Sequence, residues 1–408
     1  MQRVYTRNIS YLALIQYRFM HNKKLTISNT LSRFIQLEYA SGLVLFAGVI
    51  IAIVWANSTW QHQYHHLWEI MLPVGYKSFR LNLSLHAWIN DGLMALFFFV
   101  IGLELKREFL EGELSTVKKA LLPMTAALGG MLVPALIYFL FNKNHESVSG
   151  WGIPMATDIA FALALLSMAG KHIPISVKVF LSALAVADDL GAVLVIAFFY
   201  TAHIDYMMLG IAAGFLLLLV VGNRAGILSF WYYLLIGIVV WVCFLLSGIH
   251  ATIAGVLVAF TVPAITKTGF SPLKNMEHAL HPWIAFLVMP VFALANSGIV
   301  IGSGFLTSIV NPVSIGVSAG LILGKFIGIF SFTWLMVKLK FGVLPQDSTW
   351  KQIAGVALLG GIGFTMSLFI SGLAFENVAY IEQAKYGILI ASLLAGIGGI
   401  LILRRQKT

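Results

Sequence analysis

WGIPMATDIAFALALLSMAG (151–170) and VKVFLSALAVADDLGAVLVIAFFYT (177–201) are two apolar runs that carry Asp158, Asp188 and Asp189 near their middles. Each run approaches the roughly 20 residues that an α-helix needs to cross a bilayer, which puts three carboxylates at membrane depth. A carboxylate there costs roughly 2.5 to 3.5 kcal/mol on insertion scales unless a partner, a water-filled cavity or a cation offsets it. Purely structural hydrogen bonding in a bundle is the plainer explanation for one such group. Three in two neighbouring runs point to a cation site.

The rest of the chain is of the same kind. Its 408 residues are 59% hydrophobic and only 10% charged, against roughly 25% charged in soluble domains. Apolar runs recur along the whole length and leave no room for a sizeable soluble domain. They are continuous rather than alternating, which excludes a β-barrel. The expectation is an all-α polytopic membrane protein: one domain over 34–403 with about twelve transmembrane helices. These lie near 34–56, 85–109, 118–141, 151–169, 176–201, 205–222, 227–246, 248–265, 279–302, 311–337, 352–374 and 384–403, with only a tight turn at Ser247 and Gly248 between the seventh and eighth. Cys243 is a single thiol inside an apolar run, so no internal disulfide can form.

Residues 1–33 are polar and basic, lack the apolar core of a signal peptide, and read as a cytoplasmic tail. A start at Met20 fits the sequence equally well. Residues 404–408 form a second short cytoplasmic tail. The net charge of +10 would suggest a nucleic-acid partner in a soluble protein, but here its distribution marks sidedness. Of the 26 Lys and Arg, Lys77, Arg80, Lys143 and Lys385 fall on one side, Lys325 falls in mid-span, and the others fall on the opposite side with the tails. The positive-inside rule then makes both termini cytoplasmic. The bilayer is the implied partner, and no nucleic acid is.

Lys325, in SAGLILGKFIGIFSFTW, is as expensive at that depth as the aspartates and needs a carboxylate partner. Adjacent residues project about 100° apart around a helix, so Asp188 and Asp189 cannot both face the same neighbour; one can pair with Lys325 while the other faces a cavity. Two further runs, GIPMATD (152–158) and GGIGFTMS (360–367), make poor continuous helix, because Pro154 removes a backbone donor and glycines lower helical propensity. Helices broken at comparable points are a transporter feature, with helix ends and freed carbonyls meeting a charged substrate. Close packing through small residues is the alternative reading of the glycines. Unwinding would leave helix ends facing each other at mid-membrane, where Asp158 could offset the amino ends and Lys325 the carboxyl ends.

NDGLMALFFFVIGLELKREF, ATDIAFALALL, ALAVADDLGAV, SGIHATIAGV, EHALHPW, FALANSGI, GLILGKFIGI and GGIGFTMSLFI, in this order, resemble the NhaA-type sodium/proton antiporters of bacterial inner membranes, from about Phe34 to the carboxyl end. That family is itself one of the known cases of inverted-topology repeats. The resemblance implies that spans three to five and ten to twelve are the inverted pair, with spans 4 and 11 broken and crossing at the ion site. By matching position it makes Asp188 and Asp189 the essential pair, places Asp158 and Thr157 at the helix break, and has Lys325 pair with Asp188. Na+ would then be held at Asp188, Asp189 and Asp158. Asp91 matches a buried acid of the second span.

The resemblance also implies a pH-sensing cluster at the cytoplasmic entrance, formed by Glu104, Arg107 and Glu108 with Glu277, His278 and His281; His250 matches a further pH-related position. Histidine suits such a role because its ordinary pKa near 6.5 lies within the working range. Without the family these residues would read as a surface helix pair and packing histidines.

Together these readings imply a secondary transporter, not an enzyme and without cofactors, in which Na+ or Li+ and H+ compete for Asp189 and its neighbours. Such a carrier is electrogenic if more protons enter than sodium ions leave. Asp188 or Lys325 could carry the second proton. Organic-anion symport, an intramembrane aspartyl protease and a passive channel remain as rivals. Against them stand, in turn, the lack of a large polar pocket, the placement of the closest acid pair on one helix, and the absence of symmetric rings of groups. The family further implies a β-hairpin joining two protomers; Trp60–Leu83 is long enough for one, with Pro73 and Gly75 as turn signals.

Overall fold

The apolar runs form helices whose starts are marked by polar capping residues, each satisfying an otherwise orphaned N–H. Asn311 Oδ1 accepts from Ser314 N at 2.9 Å, Asn377 Oδ1 from Ala379 N at 2.9 Å, and Thr349 and Gln352 form a reciprocal capping box. The computed structural model describes residues 40–75, 80–170, 172–201, 204–266, 269–301 and 309–405. The tail 1–33 and four of the cations used above for sidedness, Lys77, Lys171, Lys267 and Lys407, lie outside the described residues.

Helix α1 (Ala40–Ala56) turns through 115° into α2 (Gln61–Glu69). Strands β1 (Met71–Val74) and β2 (Leu81–Ser84) follow as an antiparallel hairpin with Met71 opposite Ser84 and Val74 opposite Leu81. Pro73, expected in the turn, instead lies within β1 opposite Asn82; a two-stranded sheet is all edge, where the missing N–H of proline is tolerated. Gly75, with φ 122°, does lie just past the strand.

The remaining helices are α3 (Leu85–Leu110), α4 (Val117–Asn142), a 3-10 helix over Glu146–Met155, α5 (Ile159–Ala169), α6 (Ile175–Phe199), α7 (Tyr206–Arg224), α8 (Phe230–Ser247), α9 (Thr252–Thr261), α10 (Pro272–Asn296), α11 (Pro312–Lys338), α12 (Trp350–Leu359), α13 (Phe364–Ala374) and α14 (Val378–Arg404). Among the described residues eight helices are long and apolar enough to cross a membrane, and up to eleven if each bent pair is one span. The protein is thus an all-α polytopic membrane protein with several broken spans.

Three spans differ from expectation, and one of them is the last, which begins at Val378 rather than at 384, behind the Asn377 cap. The one expected over 248–265 is helical only over Thr252–Thr261, because α8 ends on Gly248 in the left-handed region (φ 80°), a conformation open to glycine. The one expected from 279 begins earlier, at Pro272, behind the Ser271 cap.

Among the described residues three π-helical turns widen the long helices, at Trp88–Leu93 in α3, Ile284–Val288 in α10 and Gly320–Gly324 in α11. Such turns concentrate at functional sites, and the last immediately precedes Lys325. Helix α11 packs against α4, and α3 against α9. The first contact is backbone on backbone: a Cβ added at Gly328 would overlap the Gly129 carbonyl. That approach draws Lys325 into the centre of the bundle.

Candidate ion site between two broken helices

Both broken segments bend at their interruptions, by 43° between the 3-10 helix and α5 and by 44° between α12 and α13. Backbone groups freed there need partners, since an unpaired one in a dry interior is costly, and the two breaks supply them to each other. Asp158 N donates to the Ile362 carbonyl at 2.6 Å. Thr157 Oγ1 lies 2.8 Å from the Gly360 carbonyl and 2.8 Å from Asp188 Oδ2, so its one proton serves either.

Asp158 caps α5 by accepting from Phe161 N at 3.0 Å. Its other oxygen accepts from Thr365 N at 3.1 Å and from Thr365 Oγ1 at 2.5 Å. One carboxylate therefore faces the positive amino ends of two half-helices. Lys325 approaches from α11, donating to Asp188 Oδ2 at 2.5 Å and to Thr157 Oγ1 at 3.0 Å.

Asp188 and Lys325 are 0% exposed, and Asp158 and Asp189 only 1%. Among the described residues no group hydrogen-bonds Asp188 Oδ1 or Asp189 Oδ1. The charged groups within reach of Asp189 are Asp188, Glu104, Asp158 and Lys325. Carboxylate and hydroxyl oxygens are the donors that a hard monovalent cation takes. Among the described residues no three His, Cys, Asp or Glu side chains already form a metal-binding group, so the three aspartates do not make a ready-built cage in this conformation.

At the last turn of α3, Arg107 gathers the acids of the second set. Its Nε lies 3.1 and 3.0 Å from the two Glu277 oxygens, Nη1 lies 2.7 Å from Glu108 Oε1 and Nη2 3.9 Å from Glu104 Oε1. His281 is within electrostatic reach of Glu277 and His278. Glu104 is the link between the sets, since it faces both Arg107 and Asp189.

His250 is not part of this cluster. It lies in the turn between α8 and α9, outside both helices, with Nε2 2.6 Å from the Tyr200 carbonyl. Burial pushes its imidazole pKa below the ordinary value, and that hydrogen bond partly restores it. Asp91 lies on the π turn of α3, where its carbonyl accepts from Trp241 Nε1 at 3.0 Å.

Four participants were not singled out from the sequence. Thr365 stands in the quoted GGIGFTMS run, so its place beside a break was the available signal. The Gly360 and Ile362 carbonyls carry no side-chain signal at all. Lys106, counted from the sequence only among the cations on the side of the tails, donates to the Phe260 and Val262 carbonyls at 2.6 Å each and ties the end of α9 to α3.

The family model described as Na+/H+ antiporter 1 matches residues 32–403. The chain belongs to this family. It is 46% identical to Na(+)/H(+) antiporter NhaA 2 of Syntrophotalea carbinolica, over 92% of this chain and 96% of that one. It is 47% identical to Na(+)/H(+) antiporter NhaA 1 of Clostridium beijerinckii, over 95% and 98%, and 48% identical to Na(+)/H(+) antiporter NhaA of Albidiferax ferrireducens, over 93% and 98%. The family match spans the crossed breaks, Lys325 and the Arg107 cluster alike.

Proposed function

We propose that this chain is a secondary transporter that extrudes Na+ or Li+ across a bacterial inner membrane in exchange for H+, by alternating access at Asp188, Asp189 and Asp158. One observation carries the reading: at the crossing of two broken helices, two deeply buried carboxylate oxygens, on Asp188 and Asp189, have no hydrogen-bond partner among the described residues. Lys325 already offsets one charge through Asp188 Oδ2, so the second buried carboxylate, Asp189, must take up either a proton or a cation. Proton binding at Asp189 then expels the ion, and ion binding requires deprotonation. The aspartates and Lys325 sit close enough to titrate as a group. Two protons per sodium would move net positive charge inward, so that an inside-negative potential assists extrusion.

The wider arrangement goes with this reading. Eight long helices, three bent pairs and the short α9 are consistent with twelve spans. The segments α4 to α6 and α11 to α14, each with a broken middle, fit an inverted pair. The family match over 32–403 supports one transport domain, with basic tails at 1–33 and 404–408 that the positive-inside rule keeps cytoplasmic. Arg107 with Glu104, Glu108, Glu277, His278 and His281 regulates by pH at the cytoplasmic entrance, and His250 contributes from its own turn. Exposed Met71, Leu72 and Val74 on β1 favour a homodimer joined through the hairpin within 60–83.

Reconstitution in liposomes holding a pH-sensitive dye tests the proposal. Sodium added outside should drive proton movement that disappears in Asp189→Asn, while that variant inserts normally and melts no lower than the parent. Sodium uptake without proton movement would instead indicate symport or a channel.

A further inference from the structure

Helix α2 reads QHQYHHLWE and has two faces. Tyr64 and Trp68, four residues apart, are buried at 2% and 8% exposure, and Tyr64 donates to the Leu294 carbonyl at 2.7 Å. His62 and His66 occupy the opposite face and are exposed. Their ring centroids are 6.2 Å apart with planes inclined at 42°. They flank a cavity of about 320 Å³ completed by Gln63, Leu67 and Ile70. His65, the third histidine, is turned away, its ring edge-on to Tyr64 at 5.3 Å.

We propose that His62 and His66 form a binding site for a divalent late-transition cation, of which Zn2+ is the representative. Two histidines spaced i, i+4 on one helix face are the arrangement by which helices hold zinc. Neutral imidazoles bind it at about 2.0 to 2.1 Å, and both rings are at the surface, where small side-chain rotations bring their nitrogens onto one ion. Imidazole selects Zn2+, Ni2+ or Cu2+ over the hard cations, so this site differs in chemistry from the carboxylates of the crossing. It differs in place too. Helix α2 and the hairpin precede the first turn of α3, whereas the Arg107 cluster lies at its last turn, so the histidine pair and that cluster are at opposite ends of one span, with the crossing on other helices. No third His, Cys, Asp or Glu joins the pair among the described residues; water completes the coordination and the ion exchanges readily. A bound ion staples one turn of α2, the arm between α1 and the hairpin.

The test is titration of the purified full-length protein with Zn2+ alone, against a competing chromogenic chelator. One ion per chain should bind, and excess chelator should remove it. His62→Ala or His66→Ala converts a two-point attachment into a one-point one and should cost roughly 100-fold in affinity, whereas His65→Ala should not alter it. Because the pair is exposed, all three variants should melt with the parent in the absence of metal. Zn2+ binding that survives the His62→Ala, His66→Ala double variant, or that falls equally in His65→Ala, overturns the proposal.

Discussion

Lys325 Nζ and Asp188 Oδ2 stand 2.5 Å apart, and neither side chain is exposed. Such a pair is held together by the expense of separating it, because removal of one partner leaves an uncompensated charge in the bundle. Lys325→Ala should therefore lower stability by roughly 3 to 5 kcal/mol, read as a drop in melting temperature in detergent. The double variant Asp188→Asn, Lys325→Met should be less destabilised than Lys325→Ala. If the double variant melts no higher than the single one, the pair is not what holds Lys325 in place.

Thr365→Val tests the tie between the two breaks. The hydroxyl lost is the one that donates to Asp158, and hydrogen bonds to charged groups contribute about 1.5 to 3 kcal/mol. A loss of that size, together with slower exchange, is expected. Unchanged melting and unchanged exchange would mean that Asp158 finds an equivalent donor.

Arg107 is shared by Glu104, Glu108 and Glu277. Arg107→Ala removes the cation and leaves three acids repelling one another. The pH at which exchange switches on should rise, measured as initial rate across a pH series in liposomes. An unmoved profile would return the cluster to a structural role.

His250 gives a pH dependence of stability whose sign can be worked out. Its folded-state pKa lies below the ordinary value because of burial, so the unfolded chain binds the proton more tightly. Above the ordinary pKa, near 6.5, the ring is neutral in both states and contributes nothing to the pH dependence. As pH falls below that value, the folded state loses stability. His250→Gln keeps a donor for the Tyr200 carbonyl and removes the titration, so the fall in melting temperature between pH 7.5 and 5.5 should become shallower. Parallel losses in parent and variant would show that other groups set the acid limb.

The carboxylates were legible in the sequence because a charge inside an apolar run is conspicuous whatever its neighbours. Pro154 and the glycines at 360–363 likewise announced two breaks. That these breaks bond to each other was not legible, since the bonds use the carbonyls of Gly360 and Ile362, which every residue possesses. Thr365 escaped notice because a threonine is ordinary in a membrane helix. The π turn at Gly320–Gly324 was not legible either, since no residue type encodes one. Pro73 misled because proline signals turns strongly but is also admitted on a sheet edge.

The bonds from Thr157 and Asp158 to Gly360, Ile362 and Thr365 also bear on what the membrane loses while the protein works. A continuous thread of water through the bundle would have to part these bonds together, in the region where the electric field of an energised membrane is dropped. The crossing is thus a plug as well as the place proposed for the ion. Damage to it should appear first as leak, a proton current with no sodium moving against it, before it appears as weaker binding.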